Sequence, residues 1–390
     1  MKGGHNLAYQ FTLRTTVVSE PGVSSRVGDY LKRLGVNSTL VVTDRVIREA
    51  GLIEGILDSL KNNDVPYVVF DDVKPNPKDT EVKTVTDYAR EHKVNGLLAV
   101  GGGSAMDLAK GVGILLSHGG DIRDWEGDFT LERDIVPLIC IPTTVGTGSE
   151  VTWISVITDT SRSFKMGIVD PKLAPRMALL DSEMIKSLPP SVAASTGLDA
   201  LTHAIEAYTS RLASPLTDAF ALQAMEMIRD NLETVVSDPK NEAAAEKMLT
   251  ASMMAGIAFN NADVGSVHCL SEAIGAFYDL PHGVLNGIFL PYVYKRNMSA
   301  DPVRHAKIAT LLGADEQLSP DEAAQEGWNI LMGLRKRLNL PTFNSLDKVS
   351  PQDFQQLAKV AKETPMDKSN IRELSEKDYL DIMLEAFAEA

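Results

Sequence analysis

The stretch LLAVGGGSAMDLAK, Leu97–Lys110, decides how the first half of the chain folds. Its apolar opening reads as the end of a buried strand and the three glycines as a turn. SAMDLAK then begins a helical segment over 104–118. Glycines let a backbone approach a phosphate closely, and the unpaired N–H groups at a helix start attract an anion. Ser104 is placed to cap that helix, with Asp107 three residues later as the acidic member of a capping box. The stretch is not the G-x-G-x-x-G dinucleotide fingerprint, and a tight strand–helix turn without a ligand is the other reading.

Outward from this stretch the same rhythm repeats. STLVVTD (38–44), VPYVVFDD (65–72), VNGLLAV (94–100) and DIVPLICIPTT (134–144) read as strands, with helical segments at 45–63, 79–93 and 104–118 between them. Alternating strand and helix argue for βαβ units and a parallel sheet, and wholly apolar strands fit a sheet covered on both faces. A second unusual loop, PTTVGTGSEVT (142–152), follows the fourth strand with Thr143, Thr144, Thr147 and Ser149 among glycines. Such a loop offers hydroxyls and backbone N–H groups to a polar or anionic ligand; a plain polar loop with ST-turns is the alternative. Both loops follow strands, and ligands of open parallel sheets bind at that edge. Asp44 closes the first strand, where a carboxylate hydrogen-bonds a ribose diol and repels a 2′-phosphate, or simply caps the next helix.

After about residue 185 strand signals nearly vanish. Segments 191–209, 216–236, 241–260, 264–277 and 319–338 are rich in Ala, Leu, Met and Glu and read as helices. The prolines of SLPPSV (187–192) mark the join. The expected organisation is an α/β domain over 1–188 and an all-helical domain over 189–390.

Composition narrows the function. The chain has 390 residues and a net charge of −15, with 44% apolar and 23% charged residues. That acidity gives no general attraction for nucleic acid or anionic membrane. The N-terminus lacks the apolar core of a secretory signal, and no uninterrupted apolar run is long enough to span a bilayer. Cys140 and Cys269 each lie in an apolar run and read as reduced core residues of a cytoplasmic protein.

Of seven histidines, His5, His92, His118 and His305 stand in polar or terminal contexts and read as solvated. His203 follows Asp199 by four residues in GLDALTHAIEAY, which puts both on one helix face. His268 opens a second apolar helical segment, and His282 follows Pro281 in a rigid turn. One carboxylate and three imidazoles make an O,N,N,N donor set suited to Zn²⁺ or Fe²⁺; hydrogen-bonded core histidines are the other reading. Glu206, on the same helix as His203, reads as a carboxylate paired with a neighbouring base and not as a ligand. A metallohydrolase would use the same donors to activate water, but would have no need of the two glycine-bearing loops.

Together, GGGSAMDLAK, IPTTVGTGSEVT, GLDALTHAIEAY, VHCLSEAIGAFYDLPHGVLNGIFLPYV and VKPNP (73–77) resemble the iron-containing (group III) alcohol dehydrogenase family along essentially the whole chain. The resemblance implies a Rossmann-like α/β N-terminal domain, an all-α C-terminal domain, and a cleft between them holding a nicotinamide dinucleotide and a divalent metal. It implies Asp199, His203, His268 and His282 as metal ligands. It places the pyrophosphate on Gly102, Gly103 and Ser104, the cofactor along Thr143, Thr144 and Thr147, and Asn76 and Lys165 against the nucleotide. Asp44 stands where NAD-preferring members carry an acidic residue. The implied reaction is hydride transfer between NAD(H) and a small primary alcohol or its aldehyde, with Fe²⁺, or Zn²⁺, as Lewis acid. A functionalised aldehyde or hydroxy acid is the alternative substrate, and a dehydroquinate synthase-like lyase the alternative reaction. A homodimer or higher homo-oligomer fits the family.

Three positions depart from the family pattern. Many members read H-x-x-x-H at the third motif, where this chain has Glu272; with His282 it is the candidate for proton handling. Asp263 replaces an expected small residue near the implied substrate pocket, where its charge would discriminate. Ile154 replaces an asparagine that contacts the cofactor in some members, so that contact is expected to be absent.

Overall fold

The computed structural model describes residues 8–162 and 164–389. The chain divides into two compact units. The first comprises Leu13–Leu188 with Pro239–Met253; the second comprises Pro189–Asp238 and residues 254–389, with residues 8–12.

The first unit is α/β. Its strands are β1 (Thr16–Ser19), β2 (Thr39–Val42), β3 (Tyr67–Phe70), β4 (Gly96–Gly101), β5 (Gly127–Asp128), β6 (Leu138–Pro142), β7 (Ile154–Asp159), β8 (Phe164–Val169) and β9 (Met177–Leu180). Six of them form one sheet in the order β1-β9-β6-β4-β2-β3, every pairing parallel. The helices are α1 (Val27–Arg33), α2 (Arg45–Glu49), α3 (Glu54–Asn62), α4 (Asp79–Glu91) and α5 (Gly103–His118).

The apolar runs of β2, β4 and β6 are buried along their whole length because the sheet is covered on both sides. Side chains alternate between two cores, as the strand period of two requires. Leu40, Leu97, Ala99 and Cys140 pack with Val82 and Val85 of α4 and with Leu108 and Val112 of α5. Val41, Leu98, Val100 and Ile139 pack with Val27 and Leu31 of α1 and with Ile56 and Leu60 of α3. The four strands read from the sequence are the central β6, β4 and β2 and the edge strand β3. The edge strand β1, the strand β9 and a small second sheet, β5-β8-β7, went unread. In β7 burial alternates with partial exposure, so no continuous apolar run announces it.

The second unit is helical: α6 (Pro190–Thr209), α7 (Pro215–Ser237), α8 (Glu242–Ala262), α9 (Ser266–Tyr278), α10 (His282–Asn297), α11 (Pro302–Leu312), α12 (Pro320–Arg337), α13 (Phe354–Glu363) and α14 (Glu376–Phe387). Helix α8 belongs to the first unit up to Met253 and to the second from Met254. Local signals set the helix starts. Ser214, Ser319 and Ser375 each close a reciprocal capping box, and proline occupies the first turn of α6, α7, α11 and α12. Helix α6 is buried from Ala193 to Thr209 with few interruptions, and α7, α10 and α11 all pack against it. No helix among the described residues is long and apolar enough to cross a membrane.

Candidate active site

In the second unit, α6, α9 and α10 bring four chemically distinctive side chains together. Asp199 and His203 lie one turn apart on α6, His268 in the first turn of α9, and His282 at the first position of α10. One donor atom from each falls within 4.8 Å of all the others. Asp199 Oδ1 is 3.9 Å from His203 Nε2 and 3.7 Å from His282 Nε2. The His203 and His268 rings stack at 4.7 Å, those of His268 and His282 lie at 5.1 Å, and Phe259 closes the other face of His203 at 4.3 Å. Gly283 lets α10 approach α6: a Cβ there would meet the Ser195 carbonyl oxygen at 2.8 Å. Asp199, His203 and His268 are buried and His282 is half-buried.

Two further residues complete this cluster. Glu206 presents Oε2 to His268 Nδ1 at 2.5 Å, the pairing with a base expected for it. Burial opposes a charge on the His268 ring, but the neighbouring Glu206 outweighs it and the ring's pKa is raised. Asn286, fully buried, places Nδ2 2.6 Å from Asp199 Oδ1, 3.1 Å from His268 Nε2 and 2.9 Å from His282 Nε2. Sequence reasoning missed Asn286. Its one signal is the spacing of four residues after His282 on the same helix.

Asp263, at φ 64°, is bound by its neighbours: Ser369 donates to Oδ2 at 2.5 Å and the Val264 N–H to Oδ1 at 2.9 Å. Burial raises its pKa. Glu272 sits one turn beyond His268 on α9, near enough to favour the charged imidazole.

In the first unit the glycine-bearing loops gather at the carboxyl ends of adjacent strands. The chain leaves β2 for β3 on one side and returns to β4 on the other, so the strand order reverses between β2 and β4. That is the switch point where open α/β sheets bind ligands. Asp44, Gly102, Gly103, Thr143 and Thr144 all lie just past β2, β4 and β6. The glycines are needed because the threonine loop lies against them. A Cβ on Gly102 would meet Thr144 Cγ2 at 3.2 Å, and one on Gly103 would meet Thr147 Cγ2 at 3.1 Å.

Beneath these loops Lys110 is fully buried, its ammonium bonded to Ser149 Oγ, Thr152 Oγ1 and the Ile154 carbonyl. Burial lowers the Lys110 pKa, raises that of Asp107, and pushes Glu150 up to about 7. Ile154 thus contributes a backbone oxygen to this anchor. Asn76 adopts φ 55° in the loop before α4, and Lys165 lies in β8 opposite Thr158.

Three expectations are corrected. Ser104 does not cap α5: the helix starts at Gly103 with Gly102 as its cap residue, in a turn where the threonine loop lies close against both glycines. Asp107 is accordingly no capping-box partner; it accepts from Ser149 Oγ at 3.0 Å. His305 is not solvated. It is buried, its Nδ1 against the Asp301 carbonyl and its ring edge-on to Tyr294, and burial lowers its pKa. Asp44 does cap α2, accepting the Ile47 N–H at 2.9 Å. Cys140 and Cys269 are buried and free. His5 lies outside the described residues.

Comparison with known proteins identifies the family. The family model "Iron-containing alcohol dehydrogenase" matches residues 14–182, and "Fe-containing alcohol dehydrogenase family, C-terminal" matches residues 193–387. An NAD-dependent methanol dehydrogenase of Bacillus methanolicus is 37% identical over 94% of this chain and 96% of its own. A 1,3-propanediol dehydrogenase of Citrobacter freundii is 38% identical over 94% and 96%. A crystal structure of a 1,3-propanediol oxidoreductase superposes with a TM-score of 0.95 at 36% identity, covering 97% of this chain and all of that one. With both of its halves matched by the family's models and its length covered by these relatives, the chain belongs to the iron-containing alcohol dehydrogenase family.

Proposed function

We propose that the protein is an NAD-dependent, divalent-metal-dependent dehydrogenase that interconverts a small primary alcohol and its aldehyde. The observation that carries this reading is the convergence of Asp199, His203, His268 and His282 within 4.8 Å in a buried pocket of side chains. Their chemistry fits one divalent cation: three neutral imidazoles and one charge, the donor set that suits Fe²⁺ and Zn²⁺ alike. The 3.7 and 3.9 Å gaps between donors are too long for hydrogen bonds and are compatible with atoms that share one ion. The amide NH₂ of Asn286, lying against three of the four, already supplies a positive dipole there.

When bound, the metal supplies Lewis acidity to an alcohol or carbonyl oxygen, and the nicotinamide supplies or accepts hydride. The chain's own residues do the rest. Asp199 brings the one carboxylate charge among the four donors, and the stacked rings of His203 and His268 hold their nitrogens at fixed spacing. Gly102, Gly103 and Ser104 offer the N-terminal N–H groups of α5 to a pyrophosphate, with Thr143, Thr144 and Thr147 beside them. Asn76 and Lys165 are assigned to the nucleotide by family resemblance. Asp44 keeps one carboxylate oxygen on its helix and the other for a ribose diol, which favours NAD over NADP. His282, half-buried, and Glu272 are assigned, within this proposal, to passing a proton to water. Iron is the assigned metal on family grounds. A homo-oligomer and a cytoplasmic location belong to the same proposal, supported by the resemblance and by the acidic, cysteine-poor composition.

The test is a panel of short alcohols and aldehydes with NAD⁺ or NADH, read at the NADH absorbance band, on protein of measured metal content. Alcohol-dependent NADH formation that is lost together with metal in His268→Ala supports the reading. Full activity in His268→Ala with metal retained would sink it.

A further inference from the structure

Two side chains outside the four donors reach them from opposite sides. Glu206 is 5% exposed on α6. Its Oε2 meets His268 Nδ1 at 2.5 Å while its Oε1 accepts the Val267 N–H at 2.7 Å. The start of α9 is built tightly around this carboxylate: a Cβ on Gly265 would meet Glu206 Oε1 at 3.1 Å and Asn370 Oδ1 at 2.8 Å. A carboxylate accepts, so the neutral His268 ring keeps its proton on Nδ1 and turns a bare Nε2 toward the cluster.

Asn286 requires the same tautomer from the other side. An amide NH₂ has two hydrogens to share and cannot accept, so none of the three atoms Nδ2 touches, Asp199 Oδ1, His268 Nε2 and His282 Nε2, presents a proton to it. The reversed amide would press its carbonyl oxygen against a carboxylate and two ring lone pairs, and the network therefore fixes the orientation. That orientation carries a cost. Asn286 is 0% exposed and its Oδ1 has no hydrogen-bond partner among the described residues, an arrangement that buried polar groups normally avoid. The need for a donor facing the acceptors outweighs it.

We propose that Glu206 and Asn286 are positioning residues that preform the metal site, Glu206 by fixing His268 with Nε2 inward and Asn286 by filling the cluster with its amide NH₂ until a cation displaces it. This rests on the reading of the four residues as metal ligands. The two residues then act with opposite sign. Outer-sphere carboxylates that orient a metal-bound histidine typically change metal affinity about 10–100-fold. A stand-in donor competes with the ion, and its removal also leaves the metal-free acceptors facing one another.

The experiment is Zn²⁺ and Co²⁺ affinity by chelator competition, with thermal melts of metal-free and metal-loaded protein, for the parent, Glu206→Gln and Asn286→Ala. Glu206→Gln is expected to bind about 10–100-fold more weakly, with a smaller melting shift on loading. Asn286→Ala is expected to bind at least as tightly as the parent, with a lower metal-free melting temperature and a larger shift. A purely structural role would lower both melts alike and leave the shift unchanged. Glu206→Gln within threefold of the parent, or Asn286→Ala weaker than the parent, overturns the proposal. If Glu206→Gln does not fold, ¹⁵N imidazole spectra of the metal-free parent decide: His268 protonated on Nδ1 supports it, protonated on Nε2 overturns it. A parent that binds neither ion would instead refute the metal reading, a result the tautomer measurement does not share.

Discussion

The ammonium of Lys110 lies 2.8 Å from Ser149 Oγ, and that hydroxyl donates in turn to Asp107 at 3.0 Å. Two residues of α5 are thereby tied to the loop that carries Thr143, Thr144 and Thr147. The loop's position beside Gly102 and Gly103 is set from below, by a buried cation, as well as from within.

Lys110→Met tests this anchor. Methionine fills the space but removes the ammonium, leaving Asp107 buried without its counter-charge. Leaving a buried acceptor without its donor costs about 1–3 kcal/mol, readable by urea unfolding. The loop also loses two hydrogen bonds and the start of β7 one, and NADH affinity by fluorescence titration is expected to fall. A variant that is destabilised yet binds NADH like the parent would show that the loop needs no anchor.

Most of the first unit was legible because strands such as LICI are apolar throughout, which only a doubly covered sheet explains. The small sheet was not, because β7 and β8 mix polar and apolar residues and gain their meaning only by pairing. At the site, the donors of the Asp199–His203 pair announced themselves by helical spacing. Asn286 did not, since an asparagine inside a helix has no signature until the fold sets it against three acceptors. His305 misled because its sequence neighbours are polar, while it stands on the buried face of α11 with Ile308, Ala309 and Leu312.

Glu150 predicts a pH dependence. Its carboxyl holds its proton to about pH 7 when folded because of burial, and releases it near 4.5 when unfolded. Between these values the folded state binds the extra proton. Stability therefore falls as pH rises from about 4.5 through 7, by about 1.4 kcal/mol per unit and about 3 kcal/mol in all. Glu150→Gln cannot titrate. Its stability should match the parent near pH 4.5 and exceed it at pH 8, in urea melts at both values. Parallel pH profiles for the two proteins would refute the assignment.

Asp44 separates a helix cap from a cofactor contact. Serine caps a helix about as well as aspartate, so Asp44→Ser should hold stability within about 0.5 kcal/mol. The negative charge that repels a 2′-phosphate is gone. The ratio of kcat/KM for NADP⁺ to that for NAD⁺ is expected to rise about tenfold or more, since about 1.4 kcal/mol of lost repulsion suffices. An unchanged ratio would confine Asp44 to its structural role.

Metal removal should be visible in stability before activity is measured. The donors sit on α6, α9 and α10, so an ion held by them ties three helices of one unit. An ion present at a hundred times its Kd adds about 2.7 kcal/mol, roughly 5–10 °C in melting temperature for a unit of this size. Chelation should lower the melting temperature by that amount, re-addition of Fe²⁺ or Zn²⁺ should restore it, and His268→Ala should show no shift. Protons compete with metal for the same nitrogens. Glu206 raises the His268 pKa against the effect of burial, so the shift should shrink as pH falls from 8 toward 6. A metal-induced shift that persists undiminished in His268→Ala would place the ion elsewhere in the molecule.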